Sequence, residues 1–370
     1  MLTIRQAIPD DFPAQDNLFQ TGFWGNMKTA CGQQAVFFLV ETVLPDSKPL
    51  RFPFMLLLRE TADGYTYAYA PRAPSVTVAD EFRGTLMEAL AGAVRPWLPA
   101  DCVCLRFDPP WKSFYSAKHP APTKELAELR MNFGTSTARL KKPISEHLCP
   151  DTVVINLALP PERILSSMRQ TTRNSIRKAY RSKVNFAVRG KGTLESWHRL
   201  YTDTAKRKHF YYESLPYFRR LFTEKKERLT GKNGTVPLSA PPPDPEFHIL
   251  TARKDNVLLS GIVLALCGRT AYYMYAGSSL AQRELMPNYG LQWEAMLFAR
   301  RKGCTAYDLM GIPPNGSKAH PMAGLYIFKT GFGGDHVRYC GAWDYLYDEE
   351  AYRYFCQEEQ LSSLQPHTVL

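Results

Sequence analysis

Val257-Leu-Leu-Ser-Gly-Ile-Val-Leu-Ala-Leu266, a polar break and Ala271-Tyr-Tyr-Met-Tyr-Ala276 share their plan with an earlier stretch of the chain. That stretch, about 200 residues upstream, is Pro53-Phe-Met-Leu-Leu-Leu58 followed by Tyr65-Thr-Tyr-Ala-Tyr-Ala70. Each copy reads as two strands rich in aliphatic and aromatic residues, joined by a short turn at Ala62-Asp-Gly64 or at Gly268-Arg-Thr270. Each is followed by a helical pattern. In the first copy it covers 82–97, with Leu86, Leu90 and Val94 on one face. In the second it covers 291–301, with Met296, Leu297 and Arg300 following Trp293. Each helix then leads into a strand that ends in aspartate before a double proline, through Asp108-Pro-Pro110 and Asp308-Leu-Met-Gly-Ile-Pro-Pro314. The same four elements in the same order predict a duplicated α+β domain. The expected boundaries are 1–150 with 340–370 for one domain and 151–339 for the other.

Between the copies, 136–150 is basic and broken by prolines, as a crossover would be. Thr152-Val-Val-Ile-Asn-Leu157 predicts a strand, and Pro160-Pro-Glu162 a helix start. One helix is expected over 162–180, with Ile164, Leu165, Met168 and Ile176 buried. Arg169, Arg173 and Arg177, spaced by four, would share a face. A further helix is expected over 194–209. The segment 230–245, with five prolines and two glycines, reads as a loop. The charges before it, Glu224-Lys-Lys-Glu-Arg228, cover too little chain for a long coiled-coil arm.

The chain of 370 residues is 45% hydrophobic and 22% charged, a globular composition long enough for two domains. No apolar run approaches the ~18 residues of a membrane-spanning helix. The N-terminus lacks the apolar core of a secretory signal. Eight scattered cysteines without a Cys-x-x-Cys pair suit a reducing, cytoplasmic setting. The formal charge of +11 is unevenly spread. Nine Lys/Arg and no Asp/Glu lie between Arg163 and Lys191, whereas the C-terminal end is acidic. Such a block suits a polyanionic partner, although a solvated helix face explains it equally well.

Gly324-Leu-Tyr-Ile-Phe-Lys-Thr-Gly-Phe-Gly-Gly334 sets one lysine, Lys329, among aromatic residues and glycines. Glycines let backbone approach a ligand closely, and Phe328 and Phe332 can exclude water and so strengthen the field of one cation. The plainer reading is a strand, a tight turn and a solvated lysine.

Taken together, these segments resemble the FemAB/FemX family of peptidoglycan peptidyltransferases over nearly the whole chain. Trp24-Gly-Asn-Met-Lys28 is similar to the family's Trp-Gly-x-x-Lys, and Tyr69-Ala-Pro-Arg-Ala-Pro74 to its Tyr-x-Pro-Arg-Gly-Pro, with alanine replacing glycine. Leu105-Arg-Phe-Asp-Pro109, the basic stretch 171–179, Thr204-Ala-Lys-Arg207 and Tyr307-Asp-Leu-Met-Gly311 follow in the family's order, closed by the Lys329 motif. The resemblance implies two tandem GNAT-like domains, the first recapturing residues 340–354. It also implies transfer of an amino acid such as glycine, alanine or serine from aminoacyl-tRNA to a peptidoglycan precursor. The acceptor would be UDP-MurNAc-pentapeptide or lipid II, with peripheral contact at the inner face of the membrane.

The reaction so implied is aminolysis of an activated ester, which needs neither ATP nor metal nor another cofactor. The chain shows no P-loop, no His-Glu-x-x-His, no clustered Cys/His ligands and no Gly-x-Ser-x-Gly elbow. By resemblance, Lys329 is the cation at the tRNA end, with Phe328 and Phe332 packing on the terminal adenine or excluding water. Trp24, Lys28, Tyr69, Arg72 and Arg207 would line the precursor cleft, Lys28 and Arg207 holding its diphosphate. Arg173, Arg177 and Lys178 would meet the tRNA backbone, a salt-sensitive contact. Asp108 is either the base that deprotonates the attacking amine or an ion partner that orients Lys28. Its repeat mate Asp308 is expected to be structural. Three rivals stand beside this reading. An acyl-CoA N-acyltransferase would require a pyrophosphate-cradling turn where Pro287 removes a donor. A tRNA-dependent transferase could act on a protein N-terminus or a small amine. A non-catalytic RNA-binding module would use only the basic block.

Overall fold

The computed structural model describes residues 2–43, 48–61, 64–113, 115, 120–223, 244–313 and 322–364. The loop read over 230–245, the charges 224–228, part of the first hairpin turn and Pro314 therefore lie wholly or mostly outside the described residues. In chain order the strands are β1 (Leu2–Ala7), β2 (Gln34–Thr42), β3 (Leu50–Glu60), β4 (Thr66–Pro71), β5 (Cys102–Asp108), β6 (Leu140–Lys141), β7 (Asp151–Asn156), β8 (Asn185–Arg189), β9 (Glu246–Lys254), β10 (Val257–Cys267), β11 (Thr270–Ser278), β12 (Ala306–Asp308), β13 (Asp335–Arg338) and β14 (Trp343–Leu346). The α-helices are α1 (Gly22–Ala30), α2 (Arg83–Val94), α3 (Lys124–Met131), α4 (Pro161–Ser167), α5 (Gln170–Arg181), α6 (Leu194–Lys208), α7 (Leu215–Thr223), α8 (Pro287–Arg301), α9 (Ala323–Gly331) and α10 (Glu349–Leu364).

The chain forms two compact units. The first comprises Met1–Pro13, Asn17–Pro150 and the segment from Arg338 on. The second comprises Asp151–Val337 with Ala14–Asp16. Each is built on one seven-stranded sheet, with strand order β1-β2-β3-β4-β5-β14-β6 in the first and β13-β7-β12-β11-β10-β9-β8 in the second. The repeat is visible in the pairing. β3 and β4 are antiparallel, α2 crosses over, and β5 joins β4 in parallel. Likewise β10 and β11 are antiparallel, α8 crosses over, and β12 joins β11 in parallel. The fold is α+β, two tandem GNAT-like domains. Among the described residues no helix is long and apolar enough to cross a membrane.

Both sheets are covered on two faces, so their central strands read as continuous apolar runs rather than alternating ones. In β3, Phe52, Phe54, Leu56 and Leu58 turn into the first core with Leu86, Leu90 and Val94 of α2 and Leu105 and Phe107 of β5. The alternate residues Met55 and Leu57 are buried on the opposite face. Leu264, Leu291, Met296, Tyr307 and Phe332 share the core of the second unit with Ile164, Met168 and Ile176. Each such side chain contributes about 1.5–3 kcal/mol by leaving water.

Two expectations are corrected. The helix expected over 162–180 is broken, with Met168 and Arg169 extended between α4 and α5. The break lets the Met168 side chain enter the core and lets the Arg169 N–H donate to the Gly331 carbonyl at 2.9 Å. The strand read as the plainer form of the Lys329 stretch is instead α9. Its β-favouring residues give way to tertiary packing, because Phe328 and Phe332 are needed against Tyr289 on one helical face.

Candidate active-site residues in the two units

In the first unit, β4 and β5 run in parallel and end together, with Pro71 opposite Asp108. Asp108 is 0% exposed. Its carboxylate accepts from the Tyr69 hydroxyl at 3.1 Å and from the Arg72 guanidinium at 3.2 Å. Burial pushes the Asp108 carboxyl above the usual range, with Arg72 and Tyr69 opposing it, and the Tyr69 phenol rises for the same reason. Arg72 holds a left-handed backbone, φ 48°. Its guanidinium also donates to the Cys149 carbonyl at 2.9 Å and covers the Tyr339 ring at 4.4 Å. The ion partner of Asp108 is thus Arg72, not the Lys28 considered from sequence.

Trp24 and Lys28 lie on α1, whose first turn is capped by the Thr21 hydroxyl accepting from the Trp24 N–H at 3.1 Å. The helix sits close to its neighbours because Gly22 and Gly25 leave no room for a Cβ. The Pro9 carbonyl oxygen would lie 2.2 Å from one and the Phe37 ring 2.3 Å from the other. Trp24 is buried edge-on to Phe19, and the Lys28 ammonium lies 5.1 Å from the Trp24 ring centre. Buried Gln20 bridges β3 to the end of β4. Its amide accepts from the Met55 N–H at 2.8 Å and donates to the Pro71 carbonyl at 2.9 Å.

Sequence reasoning missed two companions of this cluster. His147 packs edge-on to Tyr69 at 4.7 Å and shares a 3.1 Å hydrogen bond with the Tyr67 hydroxyl. Burial, with the positive fields of Arg59 and Arg106, drives its imidazole down to about 3, so it is neutral. Arg106, two residues before Asp108 and so on the same strand face, is fully buried. It makes bidentate contacts with Asp344 at 2.7 Å and with Glu359 at 2.6 and 2.9 Å. The Leu105-Arg-Phe-Asp-Pro109 motif contained Arg106, but its two acceptors lie more than 230 residues away in sequence.

In the second unit, Lys329 is 5% exposed. Its ammonium donates to the carbonyls of Met310 at 3.2 Å and Gly311 at 2.8 Å and lies over the Tyr273 ring, 5.4 Å from its centre. It is a buried, held cation rather than a solvated one. Phe328 is half-buried, edge-on to both Tyr289 and Phe332. Phe332 is wholly in the core, which leaves it no ring face for a base and corrects the stacking expectation; excluding water remains open to it. The β10–β11 ladder carries a bulge between Val263 and Leu264, opposite Met274. The extra residue lets Tyr273 join the core near Lys329, while Tyr275 meets Tyr217 and Phe218 instead.

Arg207 is held on α6, donating to the Ser278 carbonyl at 2.7 Å. Arg173 folds back on its own chain, donating to the carbonyls of Met168 and Ser166. Arg177 and Lys178 are exposed. Asp108, Trp24, Lys28, Tyr69 and Arg72 therefore belong to the first unit. Lys329, Phe328, Phe332, Arg207 and the basic helix belong to the second.

A backbone with these features has relatives. The crystal structure of FemX superposes with a TM-score of 0.72 at 17% identity, covering 96% of this chain and 100% of that one. A lipid II:glycine glycyltransferase of Staphylococcus haemolyticus (strain JCSC1435) is 30% identical over 137 residues, which is 37% of this chain and 33% of the relative. Its counterpart in Staphylococcus epidermidis (strain ATCC 12228 / FDA PCI 1200) is 34% identical over 98 residues, 26% and 24% of the two chains. The matched stretches thus span a third or less of these relatives. The FemAB family model, by contrast, matches residues 11–231 and 247–356. On that match, which takes in both units and every candidate residue above, the chain belongs to the FemAB family.

Proposed function

We propose that the protein transfers an amino acid from aminoacyl-tRNA to an amine of the stem peptide of a peptidoglycan precursor. The observation that carries the reading is the buried Lys329 ammonium, held by two backbone carbonyls beside Phe328. Attack of the amine on the ester carbon turns its carbonyl oxygen into an oxyanion. A cation fixed beforehand in a dry site stabilises that charge without reorganising. The intermediate then collapses with departure of the tRNA ribose hydroxyl, which takes up the proton that the amine loses. Donor and acceptor supply every atom, so no metal or nucleotide cofactor enters the balance.

In this reading the first unit binds the precursor, with Lys28 and Arg72 as cations and Trp24 and Tyr69 as walls. The second takes the tRNA end, with Arg177 and Lys178 on the phosphate backbone and Arg207 as a further cation for phosphate. That the staphylococcal relatives are lipid II:glycine glycyltransferases favours glycine as the amino acid and lipid II as the acceptor over the soluble nucleotide. Asp108 suits an anchoring role better than that of a base, because it is fully buried and already paired.

The test is transfer of labelled glycine, alanine and serine from charged tRNA to lipid II and, separately, to UDP-MurNAc-pentapeptide. An RNase control and Lys329→Ala accompany each run. RNase-sensitive labelling is expected, and Lys329→Ala is expected to lower kcat by about 10²–10³-fold, the usual loss for an oxyanion donor. Absence of labelling on both acceptors with all three amino acids would overturn the reading and shift attention to protein N-termini.

A further inference from the structure

We infer that Asp308 is a positioning residue for Lys329, acting through the Met310–Gly311 arch. The two carbonyls that receive the Lys329 ammonium belong to adjacent residues just beyond β12. The feet of this arch are pinned to β7. The Leu309 N–H donates to the Val153 carbonyl and the Ile312 N–H to the Asp151 carbonyl, both at 2.9 Å. At the crown between these feet, Met310 takes φ 57°, a region that costs an ordinary side chain about 1 kcal/mol or more.

Asp308 holds that crown. Its Oδ1 accepts from the Met310 N–H at 2.7 Å and also from the Thr152 hydroxyl. Asp308 is itself fixed by strand pairing on both sides, opposite Tyr272 of β11 and Val154 of β7. The carboxylate oxygen therefore links the sheet to the strained residue, and the strained residue's carbonyl links to the lysine. A neutral acceptor at the same place would do the same work, because what the arch requires is an oxygen facing the Met310 N–H. Without one, that N–H is left unpaired and the left-handed turn loses its compensation, so both carbonyls move off the ammonium.

The inference rests on the proposed transfer reaction for its catalytic meaning, and one arm of its test does not need that reaction. In the transfer assay, Asp308→Ala is expected to lower kcat at least tenfold with KM for either substrate changed less than twofold. Asp308→Asn, which keeps Oδ1, is expected to retain at least a third of wild-type kcat. In trace acetylation with acetic anhydride, read by mass spectrometry, Lys329 should be protected in the wild type and in Asp308→Asn. It should become at least fivefold more reactive, relative to exposed Lys178, in Asp308→Ala. Should Asp308→Ala not fold, Asp308→Val, which suits a strand and lacks the acceptor, takes its place. Loss in Asp308→Asn equal to that in the acceptor-free variant would show that the charge matters rather than the arch, and would overturn the inference. So would unchanged Lys329 reactivity in the acceptor-free variant. Inactivity of the wild type would count against the transfer reaction alone, leaving the acetylation arm to decide the role of Asp308.

Discussion

Asp108 and Lys329 are both buried ionic groups, and burial has opposite consequences for them. Lys329 donates to the neutral carbonyls of Met310 and Gly311, and in the proposed reaction its charge serves a developing oxyanion. The charge of Asp108 is met by Arg72. Asp108→Asn, which keeps an acceptor for the Tyr69 hydroxyl, is therefore expected to reduce transfer by less than tenfold; a general base would lose about 10²–10⁴-fold. Steady-state kinetics of the purified variant would separate the two. His147 yields a prediction of another kind. Its folded value near 3 lies below the ~6.5 of an unfolded histidine, so the native state binds fewer protons across that interval. Stability is then full above about pH 6.5 and falls as pH drops toward 3, by at most about 2 kcal/mol at pH 5 for this partly exposed ring. Urea melts at pH 7 and pH 5 should show this loss, and His147→Gln should flatten it. Tyr69, Arg72 and Asp108 could be picked out from sequence because short motifs contain them. His147 could not, because it lies in a proline-broken stretch whose only visible property was its basic charge.

The elements were legible where their signal is local and repeated. The hairpins β3–β4 and β10–β11, with the helices that follow them, stand out because aromatic–aliphatic strands, turn residues and an apolar helical stripe recur in one order. α9 was ambiguous because Leu325-Tyr-Ile-Phe328 is as suited to a strand as to a helix, and only packing against Tyr289 decides. The break between α4 and α5 was hidden for a related reason. The cause is a hydrogen bond to Gly331, which is remote in sequence and close in the folded unit. At this scale the Arg106 network makes the clearest prediction. It ties β5 to β14 and α10 through two carboxylates, with the Tyr352 hydroxyl also donating to Asp344 at 2.8 Å. Arg106→Ala strands the fully buried Asp344 and should cost about 3–5 kcal/mol in chemical denaturation. Arg106→Met, which fills the space but leaves the same charge behind, should recover little of this. Adding Asp344→Leu to Arg106→Met should recover much of it.

Across the molecule, the two units have the same sheet plan but fill one place differently. The strand beside the aspartate-ended strand is β7 in the second sheet, and β7 opens that unit's own main segment. In the first sheet it is β14, which lies beyond the whole second unit in sequence. The duplicated core was readable because each copy keeps its elements together. The exchange at β14 was not readable from periodicity, because Trp343–Leu346 is only four residues long. A chain emerging from the ribosome meets this arrangement in time as well as in space. After about 150 residues the first sheet still has β5 as an open edge, and Arg106 has neither of its carboxylates. At synthesis rates of roughly 5–20 residues per second, that edge waits ten seconds or more while the second unit is made and can close on itself. The domain begun first is thus finished last, and its exposed edge during that interval is where misassembly in the cell would start.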